Sequence, residues 1–61
     1  SPQQWLAAFR LQRACRQLAE GRLSIARIAQ DNGWSDQTAL TRSLRKATGL
    51  TPAAYRRQHA P

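Results

Sequence analysis

Residues 33–57 read GWSDQTALTRSLRKATGLTPAAYRR, and this stretch decides the fold of the chain. The glycine at its start belongs to a turn, after which the sequence predicts a helix over about 36–48. Gly49 ends that helix because glycine readily adopts the left-handed conformation of a C-cap. Thr51, followed by proline, then caps a last helix over about 52–59. The stretch therefore predicts two capped helices joined by a short turn.

Two further helices are predicted upstream by their capping residues. Ser1 is followed by proline and, three positions after the cap, by glutamine, which is the pattern of a capping box. The helix that it opens is predicted over about 1–20 and ends at Gly21. Ser24 caps a second helix over about 24–31, which ends at an Asn-Gly turn signal. Because no segment alternates strictly between apolar and polar residues, the predicted fold class is all-α.

Length and charge limit the kind of protein this is. A chain of 61 residues forms one small domain and buries only roughly 60% of its unfolded surface, which leaves little room for a deep cleft. Ten Lys and Arg against three Asp and Glu give a net charge of +7, which favours a polyanionic partner. Nine of the ten basic residues are arginine, the better group for bidentate contact with phosphate and guanine. Charge that serves solubility alone is the alternative interpretation.

The sequence also bears on the compartment. A single cysteine cannot form an internal disulfide, so nothing argues for secretion. No apolar run approaches the roughly 20 residues of a membrane span, and no signal peptide is visible. We therefore expect a soluble, cytoplasmic protein without a membrane partner. The missing initiator methionine suggests a piece of a longer protein.

The helical period of 3.6 residues predicts which side chains form the core. They are Leu11, Ala14, Cys15 and Leu18 of the first helix, Ile25, Ile28 and Ala29 of the second, Leu40, Leu44 and Ala47 of the third, and Tyr55 of the last, with Trp34 between the second and third helices. The first helix carries a second apolar patch, which consists of Trp5, Leu6 and Phe9 and points away from its core face. Such a patch predicts a docked partner. The alternative is a bent helix that buries these three side chains.

The second and third helices have the spacing of a helix-turn-helix. Ala29 is small where the two helices cross, and Gly33 follows four residues later in the tight turn, which requires a positive φ. Leu40 and Leu44 anchor the third helix to the second. A helix that is held in this way can present its outer edge to a DNA major groove.

Gln37, Thr38, Thr41 and Arg42 on the outer edge of the third helix are the predicted base-reading residues. Glutamine can pair with adenine, threonine can contact a base or a thymine methyl group, and arginine can pair with guanine. The predicted phosphate-binding residues are Ser24, Arg27, Arg45, Lys46, Thr51, Arg56 and Arg57. A solvated helix face without a ligand is the alternative.

The chain closely resembles the C-terminal DNA-binding region of the AraC/XylS family of bacterial transcription regulators. The matching residues are Arg13-Ala14, Leu18, Ser24-Ile25-Ala26-Arg27-Ile28-Ala29, Gly33-Trp34-Ser35-Asp36, Leu40-Thr41-Arg42-Ser43-Leu44-Arg45-Lys46 and Gly49-Leu50-Thr51-Pro52-Ala53-Ala54-Tyr55-Arg56. The resemblance implies a homeodomain-like helix-turn-helix unit over 21–61, preceded by a long linker helix over 1–20, in one compact domain. It also implies sequence-specific binding of double-stranded DNA, with helix 36–48 in the major groove.

Proteins of that family carry two helix-turn-helix units, and this chain resembles the linker helix and the second unit. The hydroxyl-Pro-x-x-aromatic pattern at 1–5 recurs at 51–55, as expected if the chain opens where an earlier unit ends. The resemblance implies several partners: operator or promoter DNA, the missing first unit and RNA polymerase. It places the protein in the bacterial cytoplasm, at the nucleoid.

Other functional classes fit the sequence less well. The one histidine, His59, lies in the predicted last turn, and the three acids lie at helix ends, so no catalytic set is assembled. One cysteine and one histidine cannot form a four-ligand metal site, and we expect no cofactor. The runner-up is a helical protein-interaction module that uses the patch at Trp5, Leu6 and Phe9.

Overall fold

The computed structural model describes the backbone of residues 2–60 and the side chains of Leu6 and of residues 8–60. It contains, over that range, the helices α1 (Pro2–Glu20), α2 (Ile25–Asp31), α3 (Gln37–Thr48) and α4 (Pro52–His59) and no strand. The all-α prediction is confirmed. The predicted cap at Ser1 and the side chain of Trp5 lie outside the described residues.

Side-chain caps begin the three shorter helices at the places that the sequence predicts. The hydroxyl oxygen of Ser24 accepts from the backbone N–H of Arg27 at 3.1 Å. The carboxylate of Asp36 accepts from the backbone N–H of Ala39 at 2.8 Å. The hydroxyl of Thr51 accepts from the backbone N–H of Ala54 at 3.2 Å. At the end of α3, Gly49 has a φ of 78°, the left-handed conformation of a C-cap.

The core consists of six side chains without solvent exposure. They are Ala14, Leu18, Ile28, Ala29, Leu40 and Leu44. Leu11, Cys15, Leu23, Ile25, Trp34 and Tyr55 are partly buried and pack against them. The core therefore lies where α1, α2 and α3 meet, with α4 closing one side through its tyrosine. This agrees with the predicted core at every position except Ala47.

The prediction that Ala47 belongs to the core is wrong, because the residue is exposed. α3 packs against α2 and α4 but has little direct contact with α1, and a gap remains between α1 and α3. Ala47 lies on the side of α3 that faces this gap, where it lines an open cleft together with Leu11. Periodicity gives the angle of a side chain around its own helix, but it does not say where the neighbouring helix ends.

A buried amide fastens α2 to α1. Asn32 is only 6% exposed, and its side-chain Nδ2 donates to the carbonyl of Ile28 and to the amide oxygen of Gln17, both at 2.7 Å. Burial of an amide is favourable only when such partners are present. The turn after α2 is thereby held against the C-terminal end of α1, shortly before α3 begins.

Candidate nucleic-acid interface

The outer edge of α3 is polar and open to solvent. Gln37, Thr38 and Arg42 are exposed, and Thr41 is half-buried beside them. The hydroxyl of Thr41 donates to the carbonyl of Gln37 at 2.9 Å. That bond occupies the hydroxyl hydrogen, so the side chain offers its methyl group and an acceptor oxygen to the outside. The four predicted base-reading residues therefore lie together on one helix.

The inner side of the same helix is fixed. Leu40 and Leu44 are fully buried, one turn apart, and Asp36 caps the N-terminus. The indole nitrogen of Trp34 donates to the hydroxyl oxygen of Ser43 at 3.2 Å, which ties the turn to the middle of the helix. A helix held at its start, middle and inner side presents its outer residues in a defined geometry, as recognition of base edges requires.

Positive charge flanks this edge without carboxylates to neutralise it. Arg45 and Lys46 are exposed in the last turn of α3, where a cation also interacts favourably with the helix dipole. Arg57 is exposed in the last turn of α4. Within the part of the chain that the structure describes, one ion pair is present, and it joins Arg27 to Asp31. The exposed cations Arg45, Lys46 and Arg57 therefore remain available to a polyanion.

Arg27 is partly engaged by its own helix. Its Nε donates to both carboxylate oxygens of Asp31 at 3.0 Å, one turn further along α2. The side chain of Arg27 remains 63% exposed, and exposed pairs of this kind contribute little to stability. A phosphate oxygen would therefore compete with the carboxylate for the guanidinium at small cost.

Arg56 differs from the other predicted phosphate-binding residues, because its side chain is already bonded inside the protein. Its Nε donates to the carbonyl of Leu18 at 3.1 Å, and its Nη2 donates to the carbonyl of Leu23. These carbonyls lie at the end of α1, where that of Leu18 also accepts from the backbone N–H of Gly21 at 3.2 Å, and in the loop that follows. The guanidinium therefore joins α4 to α1 from the inside. Because Nε and Nη2 are occupied in this way, Arg56 is a weaker candidate for the predicted phosphate contact than the exposed arginines.

Ser24 and Thr51 are exposed at the starts of α2 and α4. Each hydroxyl oxygen already accepts from the backbone of its own helix. The hydroxyl hydrogens and the first backbone N–H groups are the donors that remain for an external anion. Both residues are thus weaker candidates for phosphate contact than the arginines.

The structure also brings Arg10 to the turn, a residue that the sequence reasoning left unassigned. The central carbon of its guanidinium lies 3.5 Å from the place that a Cβ atom on Gly33 would occupy. Gly33 has a φ of 90°. α1 therefore reaches the helix-turn-helix from the side. No sequence pattern could have identified this contact, because it depends on how α1 crosses the turn 23 positions further along the chain, from 10 to 33.

Features of other functional classes are weak in the described part of the chain. No three His, Cys, Asp or Glu side chains of the described residues come close enough together to hold a metal ion. Cys15 is a half-buried free cysteine. The burial of Tyr55 raises the pKa of its phenol, and a hydrogen bond to Cys15 raises it further. No helix in residues 2–60 is both long and apolar enough to cross a membrane.

Comparisons with known proteins agree with this geometry. A family model described as a helix-turn-helix domain matches residues 1–58. The chain is 38% identical over 56 residues to the virulence regulon transcriptional activator VirF of Yersinia enterocolitica and to the thermoregulatory protein LcrF of Yersinia pestis. It is 34% identical over 56 residues to a protein of Streptomyces lividans described as an AraC-like transcription regulator. No solved structure matches the chain.

The chain belongs to the AraC-type helix-turn-helix family. This is a family of DNA-binding domains of transcription regulators and not a class of enzymes. Each match covers 92% of this chain, but it covers only 18% of the Streptomyces protein and 21% of the two Yersinia proteins. The AraC-type domain thus spans about a fifth of the length of the curated relatives that it matches.

Proposed function

We propose that this AraC-type domain binds double-stranded DNA in a sequence-specific manner, with α3 in the major groove. The observation that carries the proposal is the two-sided character of α3. Its inner side is fixed by two leucines without solvent exposure, and its outer side presents an amide, two threonines and an arginine. These groups match the donors and acceptors of base edges in the major groove.

The division of labour along α3 follows from position. Gln37 and Thr38 stand in the first turn, which enters a major groove most deeply when a recognition helix docks by its N-terminal part. Arg42 lies further along and is the candidate for a bidentate contact with guanine. Thr41 contributes its methyl group and its acceptor oxygen. We assign Arg45 and Lys46, at the far end, to phosphates.

Other phosphate contacts come from the neighbouring helices in this proposal. Arg27 on α2 and Arg57 on α4 are the charged candidates, with the hydroxyls of Ser24 and Thr51 as secondary donors. Arg56 is not included, because its guanidinium is bonded to carbonyls of α1 and the following loop. If about four phosphates are neutralised, the logarithm of the affinity falls against the logarithm of salt concentration with a slope of roughly −4.

The domain division belongs to the same proposal. We infer that α1 is a linker helix and that residues 21–61 form one helix-turn-helix unit, with another unit elsewhere in the full protein. Leu6 and Phe9 on α1 are 44% and 54% exposed, and they are the surface against which that other unit would pack. Regulation of transcription in the bacterial cytoplasm, at the nucleoid and with RNA polymerase as a partner, is proposed for the protein as a whole.

The test is a binding selection from random duplexes, followed by titration of the selected duplex. Arg42→Ala and Gln37→Ala should each weaken specific binding by about 1–3 kcal/mol and relax the preference at one base pair. Arg16→Ala is the matched control: it removes the same charge from an exposed position on α1 and should leave the preference unchanged.

Two outcomes would count against this proposal. If Arg42→Ala and Gln37→Ala bind the selected duplex like the parent, with helical content intact, α3 is not the reading helix. A protein-interaction module using Leu6 and Phe9 would then be favoured. If the selection yields no preferred sequence and every arginine variant weakens binding equally, the domain binds DNA through charge alone.

A further inference from the structure

A cleft lies on the side of α3 away from the proposed reading edge. It has a volume of about 360 Å³ and lies between the N-terminal half of α1 and the back of α3. A volume of this size falls within the range of small-molecule sites. Its lining residues are Ala8, Arg10, Leu11, Trp34, Ser43, Lys46 and Ala47. Neither the core nor the proposed DNA contact accounts for the cleft as a whole.

The apolar lining defines what the body of a ligand must be. Leu11 is half-buried and packs on the core, while Trp34 borders the cleft with its half-buried ring. The alanines at 8 and 47 also line the cleft and add small apolar side chains to it. A hydrocarbon chain or ring placed in the cleft would remove apolar surface from water on both sides, which favours binding.

The polar lining side chains offer donors. The oxygen of Ser43 accepts the indole N–H of Trp34, which leaves its hydroxyl hydrogen to donate. Arg10 and Lys46 are cations. Neither of them forms an ion pair within the described residues, where the ion pair that is present joins Arg27 to Asp31. A site with an apolar wall, two cations and no carboxylate suits an anionic head on an apolar body.

We propose that this cleft binds a small carboxylate with an apolar body, such as a medium-chain fatty acid or an aryl carboxylate. The carboxylate lies between Arg10 and Lys46, and the hydrocarbon lies against Leu11, Trp34 and Ala47. The cleft is distinct from the edge formed by Gln37, Thr38 and Arg42, which lies on another side of α3, and Lys46 is the residue that the two proposed sites share.

The test uses NMR titration of the isotope-labelled chain with three probes: octanoate, octanamide and acetate. Octanoate should give saturable shifts at the Trp34 indole N–H and at the amides of Ser43 and Ala47. Octanamide keeps the chain without the charge, and acetate keeps the charge without the chain. Each should bind at least about tenfold more weakly than octanoate.

Two variants locate the site. Ala47→Leu fills the cleft and should abolish the octanoate shifts, whereas Ala53→Leu, the same change on the exposed face of α4, should leave them intact. Arg10→Gln should weaken octanoate about fivefold with the helical content unchanged.

Several results would overturn the proposal. Absence of saturable shifts would do so, as would octanoate binding by Ala47→Leu equal to that of the parent. Equal affinities for octanoate and octanamide would remove the anion from the argument. Equal affinities for octanoate and acetate would assign Arg10 and Lys46 to simple anions such as DNA phosphates. DNA affinity, measured separately, decides none of these outcomes.

Discussion

The outer edge of α3 and the seam between α1 and α4 each contain an arginine, but the first arginine faces solvent and the second is bonded inside the protein. On α3, Arg42 is exposed to solvent. In the seam, Arg56 donates to two backbone carbonyls. Tyr55 packs on the core, and its ring stacks on that of His59 with the two ring centroids 4.2 Å apart. An arginine in this domain therefore serves binding or architecture according to the acceptors around it, and not according to its type.

The largest effect is expected at the core that both regions share. Leu44→Ala removes a fully buried side chain, which costs about 2–5 kcal/mol of unfolding free energy. A 61-residue domain has only about 3–9 kcal/mol in total, so the variant should be partly or wholly unfolded at room temperature. Urea denaturation followed by circular dichroism measures this. Leu44→Met, which conserves volume, should cost less than about 1.5 kcal/mol; an equal loss in both variants would contradict the cavity explanation.

The next effect separates the seam from the reading edge. Arg56→Gln removes charged hydrogen bonds to Leu18 and Leu23 and should lower the unfolding free energy by about 1.5–3 kcal/mol. Arg57→Gln, the exposed neighbour, should change it by less than about 0.5 kcal/mol.

For DNA binding we expect the reverse order, in which Arg57→Gln has a larger effect than Arg56→Gln. Arg57→Gln is expected to reduce the salt slope of binding by about one unit, because a phosphate contact is lost. If Arg56→Gln alone reduces the slope while stability is unchanged, the internal role assigned to Arg56 is wrong and the phosphate contact predicted from sequence is restored.

A smaller effect is expected where the reading edge begins. Asp36→Ala removes the cap that accepts from the backbone at 2.8 Å, which should cost about 1 kcal/mol. Fraying would begin at Gln37 and Thr38, so specific binding should weaken with it. Asp36→Asn keeps the capping oxygen and serves as the control, because asparagine caps helices about as well as aspartate. Equal losses in the two variants would point to charge in place of capping.

The smallest effect concerns the seam at high pH. Burial and the hydrogen bond to Cys15 raise the pKa of Tyr55 above its ordinary value of 10.0. The folded state therefore favours the neutral phenol, so this contribution is fully present below pH 10.0 and is lost as pH rises through the folded pKa. Urea unfolding on both sides of that pH should show a larger loss for the parent than for Tyr55→Phe. An identical pH dependence in the two proteins would remove Tyr55 from the explanation.

The ends of the helices follow from the local sequence alone. Ser24, Asp36 and Thr51 each bond to a backbone N–H three positions away, and Gly49 ends α3 on its own backbone freedom. These interactions are complete within about one helical turn, so the local pattern is sufficient to predict them. The buried faces of α2 and α3 could also be predicted from the sequence. Ile28 and Ala29 on α2, and Leu40 and Leu44 on α3, form one apolar side of each helix.

Only the tertiary structure decided which surfaces meet. It left Ala47 on an open cleft, turned Arg56 inward to carbonyls of α1 and the following loop, buried Asn32 against Gln17, and brought Arg10 over the turn at Gly33. Each contact depends on the length and crossing of helices that are distant in sequence. A helical period gives direction around one axis and carries no information about where the next axis runs.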